Sequence, residues 1–255
     1  FDTFVYGFGL GPNVFHLTEV GEILGSRHET FKDYAPHMPA LPFWRTYENI
    51  MSLKERGLDI LDVLIDRAHQ KGMEFFGSFR LTHPNDPKNV DAFDTWQFRI
   101  DHPELCLQGR GKYSFNWVHP EVRAERFAII EEAVNRYDMD GFELDLSFAP
   151  YFFEEDETDA NSRILTDFVR EVKGAVTAAA HQGGQTMVLG ARVLPGLASN
   201  LAQGMNVLDW LDEGLLDYVV PMVYGAWIQT DANHPFEWLL QAAGRSGCEG
   251  YPALA

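Results

Sequence analysis

The chain has 255 residues, a formal net charge of -18 at pH 7 and two cysteines. That length suits one large α/β domain, because (β/α) barrels commonly reach it undivided. The strong negative charge repels phosphate backbones and anionic lipid surfaces, which argues against nucleic acid or a membrane as a partner. Cys106 and Cys248 lie too far apart in the sequence to suggest a metal-type cluster, so no metal and no cofactor are expected.

Strand-like and helix-like segments alternate along the chain. Runs of β-branched and aromatic residues indicate strands, and apolar residues at helical spacing indicate helices. The predicted strands cover residues 2–10, 73–81, 142–148, 186–194, 217–224 and 248–255. The predicted helices cover residues 58–72, 120–137, 164–183, 207–215 and 235–243. Long loops are predicted at residues 13–46 and 91–117, and an acidic loop at 152–159.

Six strands joined by five helical connections predict a parallel sheet. A closed (β/α)8 TIM-type barrel needs eight strands. The chain is therefore predicted to form a single catalytic barrel domain over residues 1–255 that lacks strands at both ends. An open doubly wound sheet is the alternative, although residues 9–13, GLGPN, make a poor match to the glycine-rich phosphate loop that follows the first strand of that fold.

The most informative stretch is residues 137–150, YDMDGFELDLSFAP. Side chains alternate along a strand, so four apolar residues share one face while Glu143, Asp145 and Ser147 share the other. In a barrel the apolar face meets the outer helices and the acids point inward. A buried carboxylate is costly without a partner, so the protein either pairs these acids or uses them. The apolar set is Phe142, Leu144, Leu146 and Phe148.

The two acids differ in their position along the strand. Asp145 lies nearer the carboxyl end, where barrel enzymes hold their chemistry, and is the first candidate for a catalytic residue. Glu143 lies deeper and is either a second catalytic carboxylate or a structural counter-ion for an inward-facing arginine. Arg192 shares a face with Val188 and Gly190 near the end of its own strand, so it is a candidate to meet a carboxylate or a sugar hydroxyl.

Residues 115–148 resemble a bacterial glycosyl-hydrolase-like family often labelled family 10 glycosylhydrolase, formerly a domain of unknown function. Its members carry a pattern like N-P-x-V-R, a helix, and then R-Y-D-V-D-G-I-x-L-D. This chain has HPEVR at 119–123, RYDMDG at 136–141 and LD at 144–145. Residues 68–80 and 219–224 are similar to the family's third-strand approach and sixth strand. Glu143 stands where many relatives carry a non-acidic residue.

The resemblance implies a (β/α)8 barrel in which residues 141–148 form the fourth strand. It also implies a glycoside hydrolase that cleaves O-glycosidic bonds of a poly- or oligosaccharide, and it favours a secreted or periplasmic location. Asp145 falls on the family's acidic strand-end position. We predict it to be the nucleophile or charge stabiliser, with Glu143 and Arg192 tuning its pKa through pairing. The residues predicted to bind sugar are Arg80, His83, Arg192, Tyr224 and Trp227.

Two carboxylates on one strand point the same way and do not straddle a sugar well, so the second acid is expected from another strand's exit. Within this chain its candidates are Asp86, Glu154, Asp231 and Glu249, and a carboxylate beyond Ala255 is the alternative. Two other functions stay open. A non-catalytic carbohydrate-binding barrel would not need Asp145. A metal-dependent barrel hydrolase or aldolase would use Glu143, Asp145 and His83 as ligands, although no H-x-H or H-E-x-x-H spacing is present.

Overall fold

The computed structural model describes residues 2–27, 40–184, 186–223 and 236–254. Its main sheet is parallel throughout. In spatial order the strands are β1 (Thr3–Gly7), β5 (Glu74–Arg80), β6 (Gly141–Asp145), β7 (Val188–Val193), β8 (Tyr218–Val223) and β10 (Ala253–Leu254), with β9 (Glu249–Gly250) also paired to β8. A small second sheet contains β2 (Gly9–Leu10), β3 (Asn13–Val14) and β4 (Glu22–Ile23).

Helices separate the strands of the main sheet. They are α1 (Ala40–Glu55), α2 (Ile60–Gln70), α3 (Gln97–Asp101), α4 (Pro120–Arg136), α5 (Thr158–Gly183), α6 (Leu197–Leu201), α7 (Val207–Asp212) and α8 (Glu237–Ser246). A short 3-10 helix covers Pro103–Leu105. Spatial order follows chain order, as in the wall of a (β/α) barrel, and the predicted partial barrel is confirmed. Within the described residues the strands do not close into a full barrel.

Several predicted boundaries are wrong, among them those of helix α1, helix α5 and the first strand. Helix α1 begins inside the predicted loop 13–46, where several proline and glycine residues favoured a loop. Helix α5 begins inside the predicted acidic loop, because acidic residues such as Asp159 suit the first turn of a helix. The first predicted strand ends early at Gly7, and Gly9–Leu10 pairs with β3 in the second sheet instead.

Strand β6 is buried on both faces. Its outward side chains Phe142 and Leu144 belong to the main hydrophobic cluster, together with residues of α4 and α5. The helix residues that are completely buried there include Val122, Ile129, Ile130, Ala133, Leu165, Val169, Val172 and Val176. The apolar side of β6 therefore packs on the helices as predicted, and its acids lie on the opposite side.

Both cysteines are buried and unbridged. In the part of the chain that the structure describes, no helix is both long and apolar enough to cross a membrane.

Candidate functional site

Parallel pairing places three charged side chains in one row across the sheet. Arg80 on β5 is the register partner of Asp145 on β6, which is in turn the partner of Arg192 on β7. Parallel strands end at a common edge, and this row lies at or next to the last residue of each strand. The Arg80 and Arg192 side chains remain 25% and 23% exposed, so solvent reaches both ends of the row, while the Asp145 side chain between them is 11% exposed.

A second row lies one layer deeper and contains Ser78, Glu143, Gly190 and Tyr218 as register partners. Glu143 is 1% exposed. Its Oε1 accepts hydrogen bonds from Ser78 Oγ at 2.7 Å and from Arg192 Nη2 at 2.8 Å and Nε at 3.1 Å. Burial raises the pKa of Glu143, while the Arg192 charge and the Ser78 hydroxyl oppose that rise. Glu143 is therefore paired with an inward-facing arginine, and Arg192 bridges the two rows.

Asp145 uses one carboxylate oxygen to end its own strand. Its Oδ1 accepts from Ser147 Oγ at 2.8 Å and from the backbone N–H groups of Ser147 and Phe148 at 3.1 and 3.3 Å. Such an Asx-type turn competes with the sheet ladder, so β6 stops at Asp145 and the predicted extension to residue 148 is wrong. The other oxygen, Oδ2, lies 3.9 Å from Arg80 Nε.

The turn after β6 carries Phe148 to the polar side of the sheet. The Arg80 guanidinium carbon lies 3.6 Å from the centre of the Phe148 ring, a cation–π contact. Phe148 was predicted to share the apolar face of β6, so this placement is a correction. The next residue, Ala149, adopts a left-handed φ of 45°, and the Thr82 hydroxyl contacts the carbonyl oxygens of both Phe148 and Ala149.

His83 belongs to a neighbouring cluster. Its Nε2 lies 2.8 Å from Asp94 Oδ2, and Asn85 donates to Asp94 Oδ1 at 2.9 Å. Burial of Asp94 opposes ionisation, but the hydrogen bonds and charge of His83 outweigh it and lower the pKa of Asp94. In the described structure His83 is thus held by Asp94 rather than by Asp145 or Glu143. Tyr224 and Trp227, also predicted to bind sugar, lie outside the described residues.

The predicted second carboxylates have structural partners. Glu154 accepts from the backbone N–H groups of Gln108 and Gly109 at 2.7 and 3.2 Å. Asp86 accepts from the Lys88 N–H at 2.9 Å, and this bond lowers the pKa of Asp86. Glu249 begins β9 as the register partner of Tyr218, one layer deeper than Asp145, and contacts the Tyr251 hydroxyl. Asp231 lies outside the described residues.

Sequence reasoning missed three residues of this site: Ser78, Phe148 and Tyr218. Ser78 stands two positions before Arg80 and therefore faces the same side, which strand alternation alone could have shown. Tyr218 stands at the start of its strand, and a tyrosine there is as typical of a hydrophobic core as of a functional site. The inward turn of Phe148 depends on the hydrogen bonds of Asp145 and leaves no pattern in the sequence.

No group of three His, Cys, Asp or Glu side chains in the described ranges is placed to hold a metal ion. The set proposed for a metal-dependent enzyme, Glu143, Asp145 and His83, is therefore not assembled as a site there.

The fold and the site together indicate an α/β barrel-type protein. Its candidate site is built from carboxylates and arginines at the carboxyl ends of parallel strands. Residues 35–166 match the family described as glycosyl hydrolase-like 10, and the chain belongs to that family. The matched segment includes β5 and β6, and with them Arg80 and Asp145. The resemblance drawn from the sequence motifs is thereby confirmed.

Two relatives extend beyond the matched segment. Glycosyl hydrolase YngK of Bacillus subtilis strain 168 is 23% identical over 220 residues, which cover 71% of this chain and 42% of the relative. Glycosyl hydrolase DigH of Escherichia coli K12 is 22% identical over 221 residues, which cover 70% of this chain and 49% of the relative. The chain spans somewhat under half the length of these curated relatives.

Among solved structures, an endo-beta-1,4-mannanase from Thermotoga petrophila is similar, with a TM-score of 0.45 and 13% identity over 76% of this chain and 45% of the mannanase chain. A likeness at that score carries no argument about activity.

Proposed function

We propose that this chain forms the catalytic barrel of a glycoside hydrolase that cleaves O-glycosidic bonds of a poly- or oligosaccharide. The observation that carries the proposal is the open row of Arg80, Asp145 and Arg192 at the carboxyl edge, with Glu143 fixed directly beneath it. Membership of a glycosyl hydrolase-like family supports the same reaction class. One continuous sheet with one main core supports a single domain.

Asp145 is proposed as the nucleophile or charge stabiliser of the reaction. Three hydrogen bonds to Oδ1 hold the carboxylate in one orientation, so Oδ2 is presented toward Arg80 and the open edge. A carboxylate fixed before substrate arrives loses little freedom when it attacks or stabilises a cationic sugar carbon.

Glu143 is predicted from the sequence as a second catalytic residue, but its burial argues for an indirect role. With 1% exposure it does not reach a sugar bound at the edge. We propose that it positions Arg192, whose guanidinium it holds through two nitrogens. That guanidinium then lies in the row of Asp145 at the carboxyl edge, where we propose that it contacts sugar hydroxyls.

Arg80 is proposed to bind sugar together with Phe148. Stacking on the ring orients the guanidinium at the carboxyl edge of the sheet. His83, Tyr224 and Trp227 stay predictions as further sugar contacts. Asp231 is the first candidate to replace for the acid that protonates the leaving oxygen, because the other three candidates have the structural partners described above.

The experiment compares the full-length protein with its Asp145→Asn variant on a panel of polysaccharides and aryl glycosides. Asparagine keeps an oxygen that accepts from Ser147 and Phe148, so the turn survives and only the charge is lost. We expect turnover to fall on the order of 10³-fold with little change in Tm.

Asp140→Asn is the matched control, because Asp140 lies just before the amino end of β6 and binds His69 Nε2 and the Phe75 N–H. It should lower stability but leave turnover intact. Full activity in Asp145→Asn would refute the assignment of Asp145. Equal glycan binding by both proteins without cleavage would instead favour a carbohydrate-binding barrel.

A further inference from the structure

Tyr218 carries a buried hydroxyl that the proposed mechanism does not use. The residue is 6% exposed, and its hydroxyl finds no hydrogen-bond partner among the described residues. Leaving such a group unsatisfied costs about 1–3 kcal/mol, which is the cost of a typical destabilising mutation. Phenylalanine would fill the same space without that cost, so the hydroxyl calls for a function.

The backbone of β7 shows where the Tyr218 ring goes. Gly190 is its register partner, and a Cβ built on Gly190 would lie 2.0 Å from Tyr218 Cζ, the carbon that bears the hydroxyl. The ring therefore crosses β7 in the space that the missing side chain leaves. Its hydroxyl end is directed away from β8, and the next residue of the same row, on β6, is Glu143.

Phe76 meets the Tyr218 ring from the other side, at a centroid distance of 5.5 Å. Phe76 likewise crosses a glycine, because a Cβ on Gly141 would lie 2.7 Å from its ring. Two glycines thus admit two aromatic rings, which form a floor beneath the row of Asp145: Tyr218 belongs to the row of Glu143, and Phe76 lies one row deeper. Tyr218 is the member of this floor that brings a hydrogen-bond donor.

The charges around this floor keep the phenol protonated. Burial raises the pKa of Tyr218 far above its ordinary value, and the negative charge of Glu143 adds to that rise. Arg192, Asp217 and Tyr251 are the other titratable groups that face it. Glu143 faces Arg192, Ser78 and Asp145 in addition. A protonated phenol can donate a hydrogen bond, and the buried carboxylate beside it can accept one.

We propose that Tyr218 is a positioning residue for Glu143, to which its hydroxyl is linked through one bridging water in the barrel interior. Donation toward the carboxylate favours the ionised form, which in turn holds the Arg192 guanidinium beside Asp145. The link between Tyr218 and Glu143 is independent of turnover, although its value for catalysis rests on the proposed hydrolase function.

A double-mutant cycle on the full-length protein tests the link, using Tyr218→Phe, Glu143→Gln and the double variant. We expect Tyr218→Phe to lower Tm by about 3 °C in the wild-type background and to have little effect in the Glu143→Gln background. Tyr251→Phe is the control, because its ring also faces Tyr218 but its hydroxyl binds Glu249 at the surface. Additive effects, or a higher Tm in Tyr218→Phe, would overturn the proposal.

A second measurement covers the case in which Glu143→Gln fails to fold. The Tm difference between wild type and Tyr218→Phe is followed from pH 8 to pH 4.5. The linked carboxylate loses its charge as pH falls, so the difference should shrink toward low pH. A difference that does not change with pH would rule out coupling to Glu143. Neither measurement needs a substrate, so absence of hydrolysis would reject the proposed function without deciding this inference.

Discussion

Arg126 and Arg192 each pair with a glutamate, yet they do so in different surroundings. Arg126, on α4, is 1% exposed: its Nε donates to the Leu81 carbonyl at 2.9 Å and its guanidinium contacts Glu125. Trp96 covers this pair, with its indole N–H on Glu125. Arg192 lies in the row of Asp145 and is still reached by solvent.

Arg99 lies in a buried environment like that of Arg126. It is completely buried and donates to the backbone carbonyls of His83, Asn85 and Tyr113. Burial lowers its pKa to about 10, so it remains charged. Arg99 and Arg126 therefore fix the chain after β5 from inside, whereas Arg80 and Arg192 present cations at an open edge. Burial of a charge marks a structural role here, and partial exposure beside a carboxylate marks the candidate site.

Among substitutions that distinguish the buried arginines from those at the open edge, Arg126→Met is expected to change stability most. Removing this cation leaves the Glu125 charge buried without its partner and removes the bond to the Leu81 carbonyl. We expect a loss of about 3–5 kcal/mol in the free energy of unfolding, measured by urea denaturation. Burial already raises the pKa of Glu125, so water does not reach the carboxylate well enough to replace the lost Arg126 charge.

Arg170→Met is the matched control, because Arg170 also contacts two carboxylates, Asp167 and Glu213, but at the surface. Its replacement should leave stability nearly unchanged. Similar losses in both variants would contradict the distinction between a buried support and an ordinary ion pair.

Arg192→Met should have a smaller effect that depends on pH. Without Arg192, Ser78 is the one direct hydrogen-bond partner that the described residues give the buried carboxylate of Glu143, so its already raised pKa rises further. A carboxyl whose folded pKa exceeds its unfolded pKa destabilises the fold above that range, and the cost vanishes as the group protonates. We expect a loss of about 2 kcal/mol at pH 8 and a clearly smaller loss at pH 5.

Urea titrations at the two pH values measure this difference. Arg126→Met provides the comparison within the same protein: its charge-related loss should also shrink at pH 5 as Glu125 protonates, but the part due to the missing bond to the Leu81 carbonyl should persist. A loss in Arg192→Met that is equal at both pH values would show that Glu143 is not the group left unpaired.

The sequence predicted most of the fold and the inward side of β6. Alternation placed Glu143 and Asp145 opposite the apolar residues, and the structure shows that side facing Ser78 and Arg192. Arg192 was expected to meet a carboxylate, and it contacts Glu143. These placements follow from the two-residue period of a strand, which the sequence displays directly.

The parts that could not be predicted depend on contacts between distant segments. Arg99 lies in a stretch without periodicity, and its role appears only when three carbonyls converge on it. The crossing of Gly190 by Tyr218 requires the register between β7 and β8, which no single strand encodes. Phe148 was assigned to the wrong face because a side chain, Asp145, ends the strand.

The smallest effect on stability is expected in the turn after β6, which contains Phe148 and Ala149. Ala149 adopts a left-handed φ of 45°, which costs a residue with a Cβ about 1–2 kcal/mol. Ala149→Gly removes that strain but adds backbone freedom to the unfolded chain, worth about 0.5–1 kcal/mol. We therefore expect a net gain of about 0.5 kcal/mol in stability, measured by urea denaturation.

Thr82→Val tests what holds the strained turn. The Thr82 hydroxyl donates to the turn carbonyls, so its loss should lower stability by about 1 kcal/mol, and the same change in an Ala149→Gly background should cost less. Equal costs in both backgrounds would mean that the hydroxyl and the strained residue act independently. A smaller cost with glycine would instead show that Thr82 offsets the strain of Ala149, and thereby keeps Phe148 beneath Arg80 at the open edge.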